Sequence, residues 1–362
     1  MLSICAFDSL AYRTIFVMRA MDLVVRLVDE ALAAGLGSGA AISVGEQGRE
    51  ILRLTRGYTR RVPDQGSPID ERTLFDVASL TKPMVTAAMA MVLVGEHRLD
   101  LDAPIRRWIS EATSRATVRQ ALGHAAGYAA HVELFRSLRA VPPPDPRREL
   151  VIRAAACPVE PAAPVYSDLG YIVLGSVLER ITGKPLEDAF VDMVAGPLDL
   201  TARFATTRIE NAIATELDDR GLVCGLVHDE NAYYGGRVCG HAGLFASIDD
   251  VAKFAAAMVA PRGRFSPDVV TRFFTDAPVA GGSWRLGWDT PSQSMNVSHA
   301  GDRWPRSGVG HLGFTGTSLW LDLSRRRWVA LLTNRVHPSR GGNSADQIKQ
   351  LRRAIGDLVA DL

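Results

Sequence analysis

The sequence predicts an α+β fold: a mostly antiparallel sheet built from both chain ends and flanked by helices, with an all-helical subdomain inserted between its halves. Three observations carry this. Strand patterns lie near the N-terminus, helix patterns fill the middle, and strand patterns return before the C-terminus. The sheet unit is expected over residues 22–75 plus 280–362 and the helical insertion over 76–279. Residues 1–21 are an extra N-terminal segment, and an active site is expected between the two units.

Along the chain, residues 22–34 place Leu23, Leu27, Ala31 and Ala34 near helical spacing, and Gly35 and Gly37 end that helix. Residues 40–45 and 50–58 predict a hairpin around the turn Glu46–Arg49. From Met84 to Val94 the chain is apolar on every side, which predicts a helix buried all round and ended by Gly95. Pro83 is tolerated only near a helix start, so Ser79 should lie at the positive end of this helix. Val141–Pro146 predicts a stiff surface loop. Helices follow at 169–182, closed by Gly183, and at 249–259, capped by Asp249. Residues 311–322 and 328–335 predict strands, with Arg325–Arg327 as a solvated hairpin turn. A last helix spans about 344–361.

Of the 362 residues, 47% are hydrophobic and 22% charged, an ordinary composition for a globular protein. A net charge of +1 gives no pull toward nucleic acid or an anionic membrane. Cys5, Cys157, Cys224 and Cys239 form no close pair and are expected as reduced, mostly buried thiols. A zinc site drawing on Cys224, Cys239 and His228 or His241 lacks the close-spaced ligand pair that would anchor it. No metal or other cofactor is expected. Asp8 and Arg13 break the apolar N-terminus, making it a poor secretory signal, so a cytoplasmic protein is expected. The longest apolar run is too short to span a bilayer.

Of the 41 basic residues only four are lysines, and Ser79–Leu80–Thr81–Lys82 is the one Ser-x-x-Lys in the chain. Chance alone would give about a quarter of such a match. Residues three apart share one face of a helical turn. A hydroxyl there can act as a nucleophile beside an amine base, provided the amine is neutral. A capping Ser79 and a snorkelling Lys82 fit the bare pair equally well. Tyr166–Ser167–Asp168 tips the balance: at a helix start, Tyr166 can relay a proton and Asp168 can orient Lys82, or simply cap the helix. In His311–Leu312–Gly313 the glycine would let a substrate carbonyl approach the backbone. The following amide, of Phe314, would pair with that of Ser79 to hold an oxyanion.

FDVASLTK, YSD and HLG, in that order and spacing, resemble the three motifs of the beta-lactamase/penicillin-binding serine hydrolase family. The branch is that of class C beta-lactamases, esterases and D-aminopeptidases. Thr117–Tyr128, Gly240–Phe254 and Leu331–Arg340 also look like members of it, so the resemblance covers about residues 25–345. It implies a beta-lactamase/transpeptidase-like fold, Ser79 as the acylated serine, Lys82 as its partner and Tyr166 as the second-motif tyrosine. His311 and Gly313 match the ends of the third motif. Asp168 stands where the family usually has Asn; an anion there would keep Lys82 charged and make Tyr166 the working base. His311 stands where penicillin-recognising members have Lys, which weakens the case for beta-lactams. His228–Asp229–Glu230–Asn231 resembles a loop in some bacterial homologues and with His241 would line the substrate mouth, although a surface turn fits as well.

The implied function is hydrolysis of an ester or amide through an acyl-enzyme on Ser79. A short ester, a peptidoglycan fragment or D-amino-acid amide, and then a beta-lactam are the substrate classes in order. A penicillin-binding-like sensor is the non-enzyme alternative. The oligomeric state is open.

Overall fold

An N-terminal hairpin and three C-terminal strands join edge to edge to make the main sheet. A computed structural model describes residues 4–160 and 163–362, with side chains from residue 17 onward. Helix α1 (Ile4–Ala33) begins well before the helix expected from residue 22, and much of the extra N-terminal segment belongs to it. Strands β1 (Gly39–Glu46) and β2 (Arg49–Gly57) follow. Their turn needs left-handed backbone at Gln47 (φ 53°) and Gly48 (φ 75°), the geometry that matches the twist of a two-residue hairpin.

The middle holds β3 (Phe75–Asp76), α2 (Ala88–Gly95), α3 (Val118–Leu122), α4 (Phe135–Ala140), α5 (Pro146–Ala156), α6 (Asp168–Thr182) and α7 (Leu186–Phe190). Next come β4 (Arg203–Phe204), β5 (Ala214–Asp218), β6 (Gly221–Cys224), α8 (Glu230–Tyr234), β7 (Leu244–Ala246), α9 (Ile248–Val259) and α10 (Pro267–Thr275). The chain ends with β8 (Val309–Leu312), β9 (Ser318–Asp322), β10 (Arg327–Thr333) and α11 (Ser344–Ala360).

The main sheet runs β2–β1–β10–β9–β8, antiparallel throughout. Alternate residues of a strand face opposite sides, and here both sides are covered. Ala40, Ile42 and Val44 pack with Val329 and Leu331 against Val24 and Val28 of α1 and Ile348 and Ile355 of α11. Ala41, Ala330 and Leu332 join the larger core on the other face. On that face α9 lies across β1 and β10, although the sequence division groups its residues with the helical insertion. Two glycines accept large rings from the neighbouring strand: a Cβ on Gly45 would lie 2.2 Å from Trp328, and one on Gly310 would lie 2.2 Å from Trp320.

Four expectations need correction. Residues 311–322 are not one strand: Gly313–Thr317 turns the chain between β8 and β9, with Gly316 left-handed at φ 110°. The middle also contains a β3–β7–β4 sheet and a β5–β6 hairpin, whose strands of two to five residues are too short to show a period. The cap of α9 is Ser247, which accepts from the Asp250 amide at 3.1 Å while Asp250 reciprocates; Asp249 instead binds Arg53 at 2.7 Å. Arg327 is not part of a solvated turn: its side chain is buried on Glu46 at 2.6 Å and on the last carbonyls of α11. Cys157, Cys224 and Cys239 are free thiols, while the side chain of Cys5 lies outside the described residues. Ala78–Gly95 is long and apolar enough to cross a membrane, but 83% of it is buried in the protein.

Asn334 links the sheet to the inserted region. Its Oδ1 accepts from the Ser38 and Gly39 amides at 2.8 and 3.1 Å, and its Nδ2 donates to Ser38 Oγ and the Ala214 carbonyl, each at 2.7 Å. Asn334→Ala would strand these buried groups. A loss of about 3 kcal/mol is expected from the urea midpoint; a shift under about 0.5 kcal/mol would contradict this view of the link.

Candidate active site

Asp76 starts the construction. It is buried, and its carboxylate accepts from the Ala78 amide at 2.8 Å and the His228 amide at 2.7 Å. The first bond holds Ala78 in left-handed backbone (φ 49°), a conformation an alanine adopts only when its surroundings impose it. Ser79 follows in a single 3-10 turn, Ala78–Leu80, and a wide-turned segment, Lys82–Ala87, leads into α2. The expected buried helix is therefore irregular over its first half, where the chemistry sits. Thr86 Oγ1 donates to the Gly240 carbonyl at 2.6 Å, and Leu244 donates to Thr81 Oγ1 at 3.2 Å, fixing the segment against the neighbouring loop.

Lys82 is fully buried. Its Nζ lies 2.9 Å from Ser79 Oγ, 2.8 Å from Asp168 Oδ1 and 3.2 Å from the His241 carbonyl. Asp168 is free for this because Ser167, not Asp168, caps α6, accepting from the Gly170 amide at 3.3 Å. Burial alone would lower the lysine's pKa, but Asp168 and Tyr166 outweigh it and raise it above the ordinary value. Burial likewise disfavours the Asp168 carboxylate, yet the Lys82 charge and a bond from His131 hold it well below the carboxylate range. The pair is thus an ammonium and a carboxylate.

Tyr166 lies beside both. Its hydroxyl interacts with Ser79 and Lys82, and Lys82 Nζ is 4.8 Å from its ring centre. His124, Trp284 and His311 surround the ring at 4.6, 5.4 and 5.9 Å between centroids. Burial raises the phenol's pKa, and the downward pull of Lys82 does not cancel it.

The β8–β9 turn closes the other side. Thr315 and Thr317 donate their hydroxyls to the carbonyls of Asp76 (2.8 Å) and Val77 (2.9 Å), fastening the turn to the strand that leads into Ser79. A Cβ on Gly313 would lie 2.5 Å from the Val77 carbonyl and 1.9 Å from Thr317 Oγ1. Gly313 therefore permits this inner docking, and it also lines the cavity where the sequence expected a substrate carbonyl to approach. The Phe314 amide donates to no protein group among the described residues. His311 is buried; burial and the Lys82 charge push its pKa down to about 3, so it is neutral. Its Nδ1 donates to the Leu312 carbonyl at 2.9 Å, and Nε2 has no hydrogen-bond partner among the described residues.

A cavity of about 600 Å³ joins these groups, lined by Ser79, Tyr166, Asp168, His228, His311 and Phe314 among others. His228 stacks near Phe314 and lies 3.0 Å from Glu216 through Nε2. The His241 ring does not line the cavity; it sits behind the wall, 2.9 Å from Asp229, and only its carbonyl reaches Lys82. Trp284, His131 and Arg352 line the cavity too, though no sequence motif singled them out. Among the described residues no cluster of three or more His, Cys, Asp or Glu could hold a metal.

The Beta-lactamase family model matches residues 24–353. N-acetylmuramyl-L-alanine amidase of Bacillus subtilis (strain 168) is 26% identical, over 86% of this chain and 80% of the relative. Esterase EstB of Burkholderia gladioli is 28% identical, over 91% of this chain and 95% of the relative. Among solved structures, EstCE1, a hydrolase with promiscuous acyltransferase activity, superposes with a TM-score of 0.70 at 22% identity, covering 94% of this chain and 100% of its own. The octameric penicillin-binding protein homologue from Pyrococcus abyssi gives 0.68 at 19% identity, covering 92% and 76%. These two share the beta-lactamase/transpeptidase-like fold. With the family model spanning nearly the whole chain, the protein belongs to the beta-lactamase family, as a serine hydrolase.

Proposed function

We propose that this protein cleaves a carboxylic ester or amide through an acyl-enzyme on Ser79, with esters as the better substrates. The observation that carries this is the contact of Ser79 Oγ with Lys82 Nζ at 2.9 Å, beside the Tyr166 hydroxyl and open to the cavity. As an ammonium, Lys82 cannot take the serine proton. Tyr166, once it has lost its own proton to solvent, accepts the serine proton as the phenolate while Ser79 attacks the carbonyl carbon, then passes it to the leaving alcohol or amine. Water next attacks the acyl-enzyme, with Tyr166 again the base. The amides of Ser79 and Phe314 hold the oxyanion. Asp168 keeps Lys82 charged and aimed at the serine.

The neutral His311 supports esters over substrates that need a fixed cation at that position. The amidase relative keeps a peptidoglycan-fragment amide as the second reading.

Ser79→Ala is expected to abolish labelling by a fluorophosphonate and to lower kcat on p-nitrophenyl esters at least about a thousandfold. Labelling equal to wild type would defeat the assignment. Ester turnover should exceed nitrocefin turnover, and the reverse order would remove the ester reading. The pH profile tests the proton path. Asp168 raises the pKa of both Lys82 and Tyr166, so it opposes loss of a proton from either. In the wild type kcat/KM should rise with pH above neutrality. Asp168→Asn should move that rising limb to lower pH; an unmoved or upward-shifted limb would contradict the scheme.

A further inference from the structure

Arg352 of α11 has no part in the scheme above. It is 7% exposed and forms no ion pair among the described residues. Among the other buried arginines, Arg327 is neutralised by Glu46 at 2.6 Å, whereas Arg335, which lines the same cavity, likewise forms no ion pair among the described residues. Arg352 Nη2 instead donates to two carbonyls of the β8–β9 turn, Thr317 at 2.6 Å and Gly313 at 3.3 Å. Thr317 O also accepts from the Gly313 amide at 2.7 Å, so the guanidinium clamps the base of the turn. The Gly313 carbonyl and the Phe314 amide belong to one peptide unit. A cation on the oxygen draws electron density from the nitrogen through the amide resonance, and the N–H becomes a stronger donor. At this low exposure, and with no counter-charge among the described residues, that pull is only weakly screened.

We propose that Arg352 is a positioning residue for the oxyanion site, whose unpaired charge on the Gly313 carbonyl polarises the Gly313–Phe314 peptide and strengthens the Phe314 amide toward the developing oxyanion. This rests on the Phe314 assignment made under the proposed function. The interaction grows as negative charge develops on the substrate oxygen, so it acts on the transition state more than on bound substrate. Arg352 also lines the cavity with Arg335 and His299, so the rival is a subsite for a substrate carboxylate. The two differ in which kinetic constant changes and for which substrate.

The test compares wild type, Arg352→Gln, which keeps a donor but loses the charge, and Arg352→Lys, which keeps the charge. Each hydrolyses a neutral ester (p-nitrophenyl butyrate) and a carboxylate-bearing one (mono-p-nitrophenyl glutarate), and each is titrated with a phenyl trifluoromethyl ketone, which forms an oxyanion on Ser79. Arg352→Gln should lose about tenfold in kcat on both esters with KM within about twofold, and lose ketone affinity by a similar factor. Arg352→Lys should stay within about threefold of wild type. Wild-type kcat in Arg352→Gln would overturn the proposal, as would a loss confined to KM for the carboxylate-bearing ester. A kcat loss that Lys does not rescue and the ketone does not register would also overturn it, leaving a purely structural role. Ser79→Ala run alongside separates the levels. Fluorophosphonate labelling lost there, with unchanged Arg352→Gln rates, overturns the arginine role alone; labelling that survives Ser79→Ala overturns both.

Discussion

Lys82 is a cation sealed from water, and it is tolerable only because Asp168 meets it from another helix at 2.8 Å. Removing either partner would leave an uncompensated buried charge, which costs about 3–5 kcal/mol. The pair thus ties the Ser79 segment to α6. It also divides the chemistry: a lysine kept charged can orient the serine and attract negative charge, but it cannot accept the serine's proton. The proposed scheme therefore gives that role to the adjacent phenol. The same carboxylate that stabilises Lys82 works against ionising Tyr166, so the resting site is held toward its protonated form.

The side of the cavity proposed to hold the oxyanion is built by a separate set of bonds. Thr315 and Thr317 reach carbonyls of residues 76 and 77, Asp76 bonds the amides of Ala78 and His228, and Gly313 has no side chain to hold these backbones apart. Three pieces from separate parts of the sequence are thereby gathered beside Ser79: β3, the His228 loop and the β8–β9 turn. None of these bonds depends on the side chains of Ser79, Lys82 or Tyr166, so the frame can stay rigid while, in the proposed scheme, a proton moves between hydroxyl and phenol.

Much of the site was legible in the sequence, because its parts lie in short local patterns. Ser79 and Lys82 share one helical turn, and Tyr166 and Asp168 flank a helix start. The His311–Phe314 stretch was recognised, but not its turn, since the two short strands around it have too few residues to show alternation. Asp249 gave a reasonable but wrong cap: Ser247 offers the reciprocal bond with Asp250, and Arg53 claims Asp249. His241 was placed among the lining residues on type alone, yet its ring turns away to Asp229.

By itself the sequence carried the strands–helices–strands course of the chain and the candidate residues Ser79, Lys82 and Tyr166, because periodicity, i,i+3 spacing and short motifs are properties of neighbouring residues. Tertiary structure alone decided the charge states and the partners. Burial and opposing charge fix Lys82 as an ammonium and His311 as neutral, and both depend on groups many residues away. Arg352 marks the limit most clearly: among 37 arginines in the sequence nothing distinguishes it. Its unpaired charge arises because α11 packs under the β8–β9 turn, where no carboxylate among the described residues reaches it.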